Sequence, residues 1–247
     1  MAIFAAGGAG IDFDLLDLGP LAAGSVSGAS STSLTLMVGD VRTELFGAGF
    51  QFDAGGPPTA GQIEQIVVDS SAGRVYAITG LSLSASLFRS WVLADDNASA
   101  KVAMFSGSDS LTGSSLDDRI RAYDGADTVY AGGGADFVDA GLGDDQVFAG
   151  SGADTVVDPG GSNYLRGEDG DDQVIGGAGF DDINGNQGND TASGGPGDDW
   201  VVGGKDNDRL FGDDGGDLVY GNLGDDTCDG GSGDDIVRGG QGNDSVE

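Results

Sequence analysis

Histidine is absent from this 247-residue sequence, cysteine occurs once, and only ten residues are basic. Without histidine, the chain cannot supply a zinc-protease motif, a Ser-His-Asp triad or a Cys-His pair. The single cysteine, Cys228, cannot form a disulfide within the chain, and we expect it to be a packed free thiol. The formal net charge of −32 repels phosphate, so nucleic-acid binding is disfavoured.

Long apolar runs are missing as well. No segment approaches eighteen uninterrupted apolar residues, which predicts that the chain does not insert into a membrane. The N-terminal stretch MAIFAAGGAGIDFDLLDL lacks a basic region, and it is too short and too interrupted for a signal peptide.

A carboxylate pair of the glycosidase type is a catalytic arrangement that the composition still permits. The N-terminal candidates for such a pair are Asp12, Asp14, Asp17, Asp40, Glu44, Asp53, Glu64 and Asp69. About a hundred residues are few for a sugar-cleaving fold, however, and aspartate at hairpin turns is ordinary turn chemistry. We therefore predict that the chain is not an enzyme.

Glycine and acidic residues are abundant, with 49 and 42 copies, and most of them follow a nine-residue period. The nonapeptide GGPGDDWVV at 194–202 is typical of a tight turn that leads into a short strand. The same frame runs without a slip from Gly113 to Glu247, which makes fifteen nonapeptides, and a partial one precedes it at 107–112. The positions of each nonapeptide are numbered 1 to 9 below, with Gly113 at position 1.

Two positions of the nonapeptide keep one chemical character throughout. Position 8 is apolar in every repeat, and position 6 is aspartate in all repeats but one. The residues at position 6 are Asp109, Asp118, Asp127, Asp136, Asp145, Asp154, Asn163, Asp172, Asp181, Asp190, Asp199, Asp208, Asp217, Asp226, Asp235 and Asp244. A merely solvating acidic tail has no reason to keep this phase, so the pattern indicates a specific structure.

The period predicts a coiled β architecture. Six turn residues and a three-residue strand reverse the chain every nine residues, so two nonapeptides make one coil and successive coils stack as two parallel sheets. We expect only the central strand residue, at position 8, to point inward. The fold class is therefore mainly β, with a C-terminal parallel β-roll.

The same repeats predict metal sites between stacked turns. Glycines at positions 1, 2 and 4 permit backbone conformations that leave carbonyl oxygens facing the gap, and the carboxylate at position 6 points into the same gap. An all-oxygen cage suits a hard cation with a tolerant geometry, which is Ca²⁺ rather than Mg²⁺ or Zn²⁺. The sixteen residues at position 6 are therefore our predicted calcium ligands, and they offer at most fourteen gaps.

Three departures from the frame should weaken individual sites. Asn163, in the divergent repeat DPGGSNYLR, removes one charge from two gaps, and we expect those gaps to bind calcium most weakly. Leu116 and Asp206 stand where the glycine of position 4 is missing.

The acidic charge of the repeats predicts that their folding depends on calcium. Residues 106–247 hold 32 acidic and six basic residues, and stacked carboxylates repel each other at short range. Each three-residue strand buries too little apolar surface to offset chain entropy. We therefore expect the repeats to be largely disordered without metal, so that the free energy of calcium binding becomes folding free energy.

The chain divides by composition into three parts. Residues 1–81 are expected to form a small β-rich domain, with one hairpin around Gly39-Asp40 and another around residues 71–73. Residues 82–105 hold two apolar segments at helical spacing, LSASLFRSWVLA and NASAKVAMF, which we interpret as helices that cap the first coil. Residues 106–247 are the predicted β-roll.

The repeats resemble the Gly-Gly-x-Gly-x-Asp-x-apolar-x motif of the repeats-in-toxin (RTX) family, whose members form calcium-binding parallel β-rolls. The segment GAGFQFDAGGPPTAG resembles an element of N-terminal domains in alphaproteobacterial RTX proteins. The resemblance implies type I secretion and an extracellular or cell-surface location. The family usually carries a secretion signal after the repeats, whereas Glu247 closes a repeat, so we expect a fragment, stacking on another chain or a signal beyond this sequence.

Two classes of function fit these features. The first is a structural protein of the cell exterior, such as a surface-layer, matrix or adhesive component, that forms a homo-oligomer or lattice and has cell-surface polysaccharide as a candidate partner. The second is a calcium-triggered folding and secretion module of a larger toxin or hydrolase. We expect the first class, because the sequence shows no catalytic apparatus ahead of the repeats.

Aromatic residues at the outward positions 7 and 9 favour one face of the roll. When the repeats are counted from Gly113, these aromatic residues fall in even-numbered repeats, which should form a single sheet. They are Tyr130, Phe148, Tyr164, Trp200 and Tyr220. Neighbouring aromatic side chains can steady a thin sheet by ladder packing. An exposed aromatic stripe can equally be a docking face for another copy or a partner.

Overall fold

The computed structural model describes the C-terminal part of the chain continuously and the N-terminal part through its strands. The described residues are 3–6, 25–29, 33–38, 41–51, 60–70, 73–84 and 106–247. All regular elements in these ranges are β-strands. The described residues therefore contain no helix long and apolar enough to cross a membrane. The prediction of a mainly β chain is confirmed.

The N-terminal strands form an antiparallel meander. Its strands are β1 (Ile3–Ala6), β2 (Ser25–Ala29), β3 (Ser33–Val38), β4 (Val41–Gln51), β5 (Ala60–Ser70) and β6 (Gly73–Ser84). The predicted hairpins are both present, because Val38 pairs with Val41 and Ser70 pairs with Gly73. Leu45, Ile63 and Ile66 are buried side chains on the two long central strands.

The C-terminal repeats form the predicted parallel β-roll of about eight coils. The even-numbered repeats, together with the partial one, supply β7 (Ser110–Ser114), β9 (Thr128–Gly133), β11 (Gln146–Ser151), β13 (Asn163–Asp169), β15 (Asp181–Gln187), β17 (Trp200–Lys205), β19 (Leu218–Leu223) and β21 (Ile236–Gln241). The odd-numbered repeats supply β8 (Arg119–Arg121), β10 (Phe137–Asp139), β12 (Thr155–Val157), β14 (Gln173–Ile175), β16 (Thr191–Pro196), β18 (Arg209–Asp214), β20 (Thr227–Asp229) and β22 (Ser245–Val246). Each strand pairs in parallel with the strand eighteen residues further on, as in the pairing of Val147 with Leu165.

The N-terminal strand β1 joins the meander to the roll. Ala5 pairs with Ala77 of β6 in antiparallel orientation and with Thr112 of β7 in parallel orientation. The meander and the even-numbered repeats therefore share one 14-stranded sheet, and the odd-numbered repeats form a separate 8-stranded sheet. The edge of β7, the first strand of the roll, is covered by β1.

The predicted helical cap at 82–105 needs one correction. Residues 82–84 are not helical, because they continue β6 to Ser84 and pair with β5 there. Residues 85–105, which hold Trp91 and the rest of the predicted cap, lie outside the described residues.

Two positions of the repeat face the interior of the roll, one more than we expected. Position 8 is buried from Leu111 to Cys228, as predicted. Position 1 also faces inward, and the alanines there at 122, 131, 140 and 149 have no exposed surface. The expectation that only position 8 points inward was wrong because several strands run on past position 9, so side chains at positions 8 and 1 lie on the same face.

Candidate metal sites

The sixteen residues at position 6 form two stacked columns, which we call the carboxylate ladder. The backbone N–H of each ladder residue donates to Oδ1 of the ladder residue eighteen positions later, as Asp181 does to Asp199 at 2.9 Å. All fourteen such hydrogen bonds are present, at 2.7–3.0 Å. The stacking that we predicted for position 6 is therefore the arrangement in the structure.

Burial separates this ladder from an ordinary acidic surface. Its first fourteen members, from Asp109 to Asp226, are at most 4% exposed, and Asp235 and Asp244 are partly buried. Eleven of the carboxylates keep an Oδ2 atom that is buried and accepts no hydrogen bond. These residues are Asp127, Asp136, Asp145, Asp154, Asp172, Asp181, Asp190, Asp199, Asp208, Asp217 and Asp226.

The glycines of the frame bring backbone oxygens toward these carboxylates. A side chain at position 4 would overlap the carbonyl oxygen of the stacked residue eighteen positions earlier. At position 197, for example, a Cβ would overlap the carbonyl oxygen of Gly179 and would lie 3.1 Å from Oδ1 of Asp199. Carbonyl and carboxylate oxygens of two successive turns therefore converge around one small volume.

Burial also raises the pKa of most ladder carboxyls. The pKa of Asp127 rises from 3.8 to about 7, because burial disfavours its charge and because the neighbouring Asp145 and Asp109 carboxylates repel it. The same causes raise the pKa of Asp172 and Asp208 to about 7. Burial and mutual repulsion therefore disfavour the charged form of the ladder carboxylates when no cation is bound.

The donor set fits calcium. In the described residues, no three carboxylate or thiol side chains come together in the manner of a site built from side chains alone, so each cage must include backbone carbonyls. Oxygen atoms from flexible turns suit the six to eight ligands that Ca²⁺ takes, whereas Mg²⁺ demands a near-ideal octahedron. Each unpartnered Oδ2 is an oxygen ligand of the type that calcium requires.

The three residues that depart from the repeat frame, Leu116, Asn163 and Asp206, differ in their local structure. Asp206 keeps the left-handed backbone of the missing glycine, with a φ of 73°, and its carbonyl oxygen faces Gly224 as in the regular repeats. At Leu116, by contrast, Gly134 meets the peptide that joins Leu116 to Asp117 rather than a carbonyl oxygen alone. Asn163 stays buried within the ladder.

One buried acidic residue was not predicted from the sequence. Asp158 occupies position 1 of the divergent repeat, where the other repeats have glycine or alanine, and it is 1% exposed. The signal for it was present in the sequence, because the repeat that loses an acid at position 6 gains one at position 1.

The predicted partner-binding aromatic residues all lie on the strands of the 14-stranded sheet. Tyr130 and Phe148 stack with their ring centres 5.0 Å apart, and Phe148 meets Tyr164 at 5.8 Å. Trp200 is 43% exposed on β17, and Tyr220 lies half-buried on β19.

This fold and these sites define a parallel β-roll that binds calcium between its turns. The description of the family whose model matches the chain is "RTX calcium-binding nonapeptide repeat (4 copies)". The matches cover residues 105–138, 112–147, 122–156, 148–183, 160–192, 193–228 and 211–246.

Together the matches span more than half of the chain, which belongs to this family. The predictions of RTX repeats, a β-roll and multiple Ca²⁺ ions are confirmed. RTX proteins are typically exported by type I secretion, which is consistent with the extracellular location that we predicted. No curated protein matches the chain.

Proposed function

We propose that the protein is a structural component of the cell exterior, in a surface layer, a matrix or an adhesive coat, which folds on calcium and then self-associates. The buried, unpartnered Oδ2 atoms of the carboxylate ladder carry this proposal. Their burial is unfavourable without a cation, so the folded roll belongs where calcium is plentiful. Extracellular calcium modules are tuned to about 10⁻⁴–10⁻³ M, which supports a location outside the cell.

Charge neutralisation supports self-association. Residues 106–247 carry a net charge of −26, from 32 acidic and six basic residues. Fourteen occupied gaps would bring 28 positive charges, so a saturated roll would be nearly neutral. Copies that repel each other without calcium would then be able to approach, because low net charge promotes association.

The aromatic face supplies a candidate contact surface. Trp200 pairs with Leu218 across the sheet, and Leu218 pairs with Ile236, which is 49% exposed. Toward the start of the roll, Tyr130 stacks on Phe148 and Arg166 lies 3.4 Å over the ring of Tyr164, and further along Arg238 lies 5.4 Å from the ring of Tyr220. Ladder packing accounts for these contacts, and docking to another copy is our proposal for the exposed surface around Trp200 and Ile236.

We also propose that the chain is not an enzyme and that cell-surface polysaccharide is a second partner. The absence of histidine from the whole sequence supports the first statement, because most hydrolytic sites need an imidazole base or metal ligand. The open furrow beside the sheet, lined by Asp169, Gln187 and Lys205, offers polar groups of the kind that bind sugar hydroxyls.

Sedimentation velocity and far-UV circular dichroism during a calcium titration would test the proposal, from excess chelator to about 10 mM, above the range of extracellular modules. We expect β structure and large species to appear together. A chain that folds but stays monomeric at every concentration would favour the second class, a calcium-triggered folding and secretion module of a larger toxin or hydrolase. A dissociation constant below the micromolar range for every site would contradict the extracellular location.

Replacement of the exposed aromatic residues should separate folding from assembly. We predict that Trp200→Ser with Tyr220→Ser weakens self-association by at least tenfold and leaves calcium-induced circular dichroism largely unchanged, since both side chains lie outside the core. Phe211→Ser on the 8-stranded sheet is the matched control, with the same chemistry on the opposite face. Unchanged sedimentation of the double variant would exclude the docking role.

A further inference from the structure

The divergent repeat at 158–166 differs from the frame at two positions that face the same interior. Position 1 is Asp158 where the other repeats have glycine or alanine, and position 6 is Asn163 where the others have aspartate. The repeat therefore keeps one acidic residue in its interior, at position 1 instead of position 6.

Asp158 is built into the roll in the manner of a ladder carboxylate. Its side chain is 1% exposed, and its Oδ1 accepts a hydrogen bond from the backbone N–H of Gly160 at 2.9 Å. Its Oδ2 is buried and accepts no hydrogen bond. One oxygen is thus held in place while the other is available, which is the state of the regular carboxylates.

The carboxyl of Asp158 faces the two gaps that Asn163 lines. Asn163 accepts from the N–H of Asp145 at 2.9 Å through Oδ1, and its own N–H donates to Asp181 at 3.0 Å. A side chain at position 1 points toward the ladder residue of its own repeat, since a Cβ at Gly167 or Gly176 would meet Oδ2 of Asp172 or Asp181. The carboxyl of Asp158 also interacts electrostatically with Asp145 and Asp181. No basic side chain forms a salt bridge with Asp158 in the described residues.

We propose that Asp158 is a calcium ligand that replaces the carboxylate missing at Asn163. The Nδ2 of Asn163 occupies the place of a ligating oxygen and cannot bind a cation, whereas Oδ2 of Asp158 can. Aspartate at both positions would bury two repelling carboxylates in one repeat, so the exchange preserves the local charge. The inference rests on calcium binding by the ladder, and it reverses the expectation that these two gaps bind most weakly.

Three variants test the assignment, and each is assayed as the full chain. Asp158→Gly removes the proposed ligand, and Asp158→Gly with Asn163→Asp restores the regular frame. Asp144→Asn is the matched control, because it removes an exposed charge beside the same gap and keeps the oxygen that accepts from the N–H of Ser162. Calorimetric calcium titration gives stoichiometry and affinity, and calcium-dependent hydrogen exchange at 154–165 gives a local measurement.

We expect Asp158→Gly to lose high-affinity binding at the two gaps of Asn163, with about tenfold weaker binding there and lost protection at 154–165. The double variant should recover both, and the control should match the unaltered chain. If Asp158→Gly folds poorly, Asp158→Asn keeps the hydrogen bond to Gly160 and should show the same loss.

Unchanged stoichiometry, affinity and protection in Asp158→Gly would overturn the proposal. Failure of the double variant to recover binding would overturn it as well. If instead the unaltered chain binds no calcium at any gap, the proposed function fails first, so the two failures are distinguishable.

Discussion

A single backbone oxygen decides which glycines of the repeat are replaceable. At position 4, Gly188 has a φ of +128°, and a side chain there would overlap the carbonyl oxygen of Gly170. Gly216, at position 5, has no atom nearer than 3.5 Å to such a side chain. The surroundings of the two glycines thus agree with their different positions in the repeat.

We predict that Gly188→Ala lowers the free energy of unfolding of the calcium-loaded roll by at least about 1–2 kcal/mol, the cost of left-handed backbone for an ordinary residue. Gly216→Ala should change it by less than about 0.5 kcal/mol. Urea unfolding in saturating calcium measures both values. Equal losses in the two variants would contradict the proposed role of the position 4 carbonyls.

Much of the residue-level chemistry was predictable, because the nine-residue period fixes the phase of positions 6 and 8. The side chains of the carboxylate ladder are stacked at the predicted spacing. Asp158 was not predicted, since a frame that defines position 1 as a turn position assigns no chemistry to a side chain there. The inward direction of position 1 follows from strand length, which the local turn signals do not fix.

At the scale of elements, the hairpins were predictable and the strand β1 was not. The hairpins join neighbouring segments, so alternating apolar residues and short turns are sufficient to indicate them. The strand β1 pairs with β6 and β7, whose paired residues lie some seventy and a hundred residues away, as Ala5 does with Ala77 and Thr112. No local pattern encodes a pairing at such a distance.

The strand β20 carries an internal reporter of folding. Cys228 is 1% exposed at position 8, and burial raises the pKa of its thiol to about 11. We predict that the thiol reacts at least a hundredfold more slowly with a disulfide reagent in saturating calcium than in chelator, because only the unfolded repeat exposes a thiolate. A spectrophotometric thiol assay measures both rates, and a small free thiol at the same two calcium concentrations is the control. Equal rates would show that β20 does not fold on calcium.

For the whole molecule, lowering the pH should stabilise the roll without calcium and destabilise it with calcium. The pKa values of Asp127, Asp136 and Asp181 are raised to about 7 in the folded state, so between about pH 4 and 7 the folded chain holds more protons than the unfolded chain. Stability of the metal-free roll is therefore greatest at the acidic end and is lost as the pH rises through 7.

We predict that, in chelator, lowering the pH from about 7.5 to about 5 raises the β signal and the melting temperature. In saturating calcium the melting temperature should fall over the same range, because protons compete for the ligating oxygens. Thermal melts by circular dichroism at both conditions check the signs. A metal-free melting curve that does not change with pH would contradict burial of the ladder.

The carboxylate ladder also makes the roll a line of charge. Strands in a sheet lie about 4.8 Å apart, so two columns place a carboxylate roughly every 2.4 Å along the axis. Duplex DNA carries a charge about every 1.7 Å and condenses a counterion atmosphere for that reason. Calcium uptake by a folded or partly folded roll is then an exchange of counterions, and its apparent affinity will depend on the surrounding sodium chloride concentration as well as on the geometry of each cage.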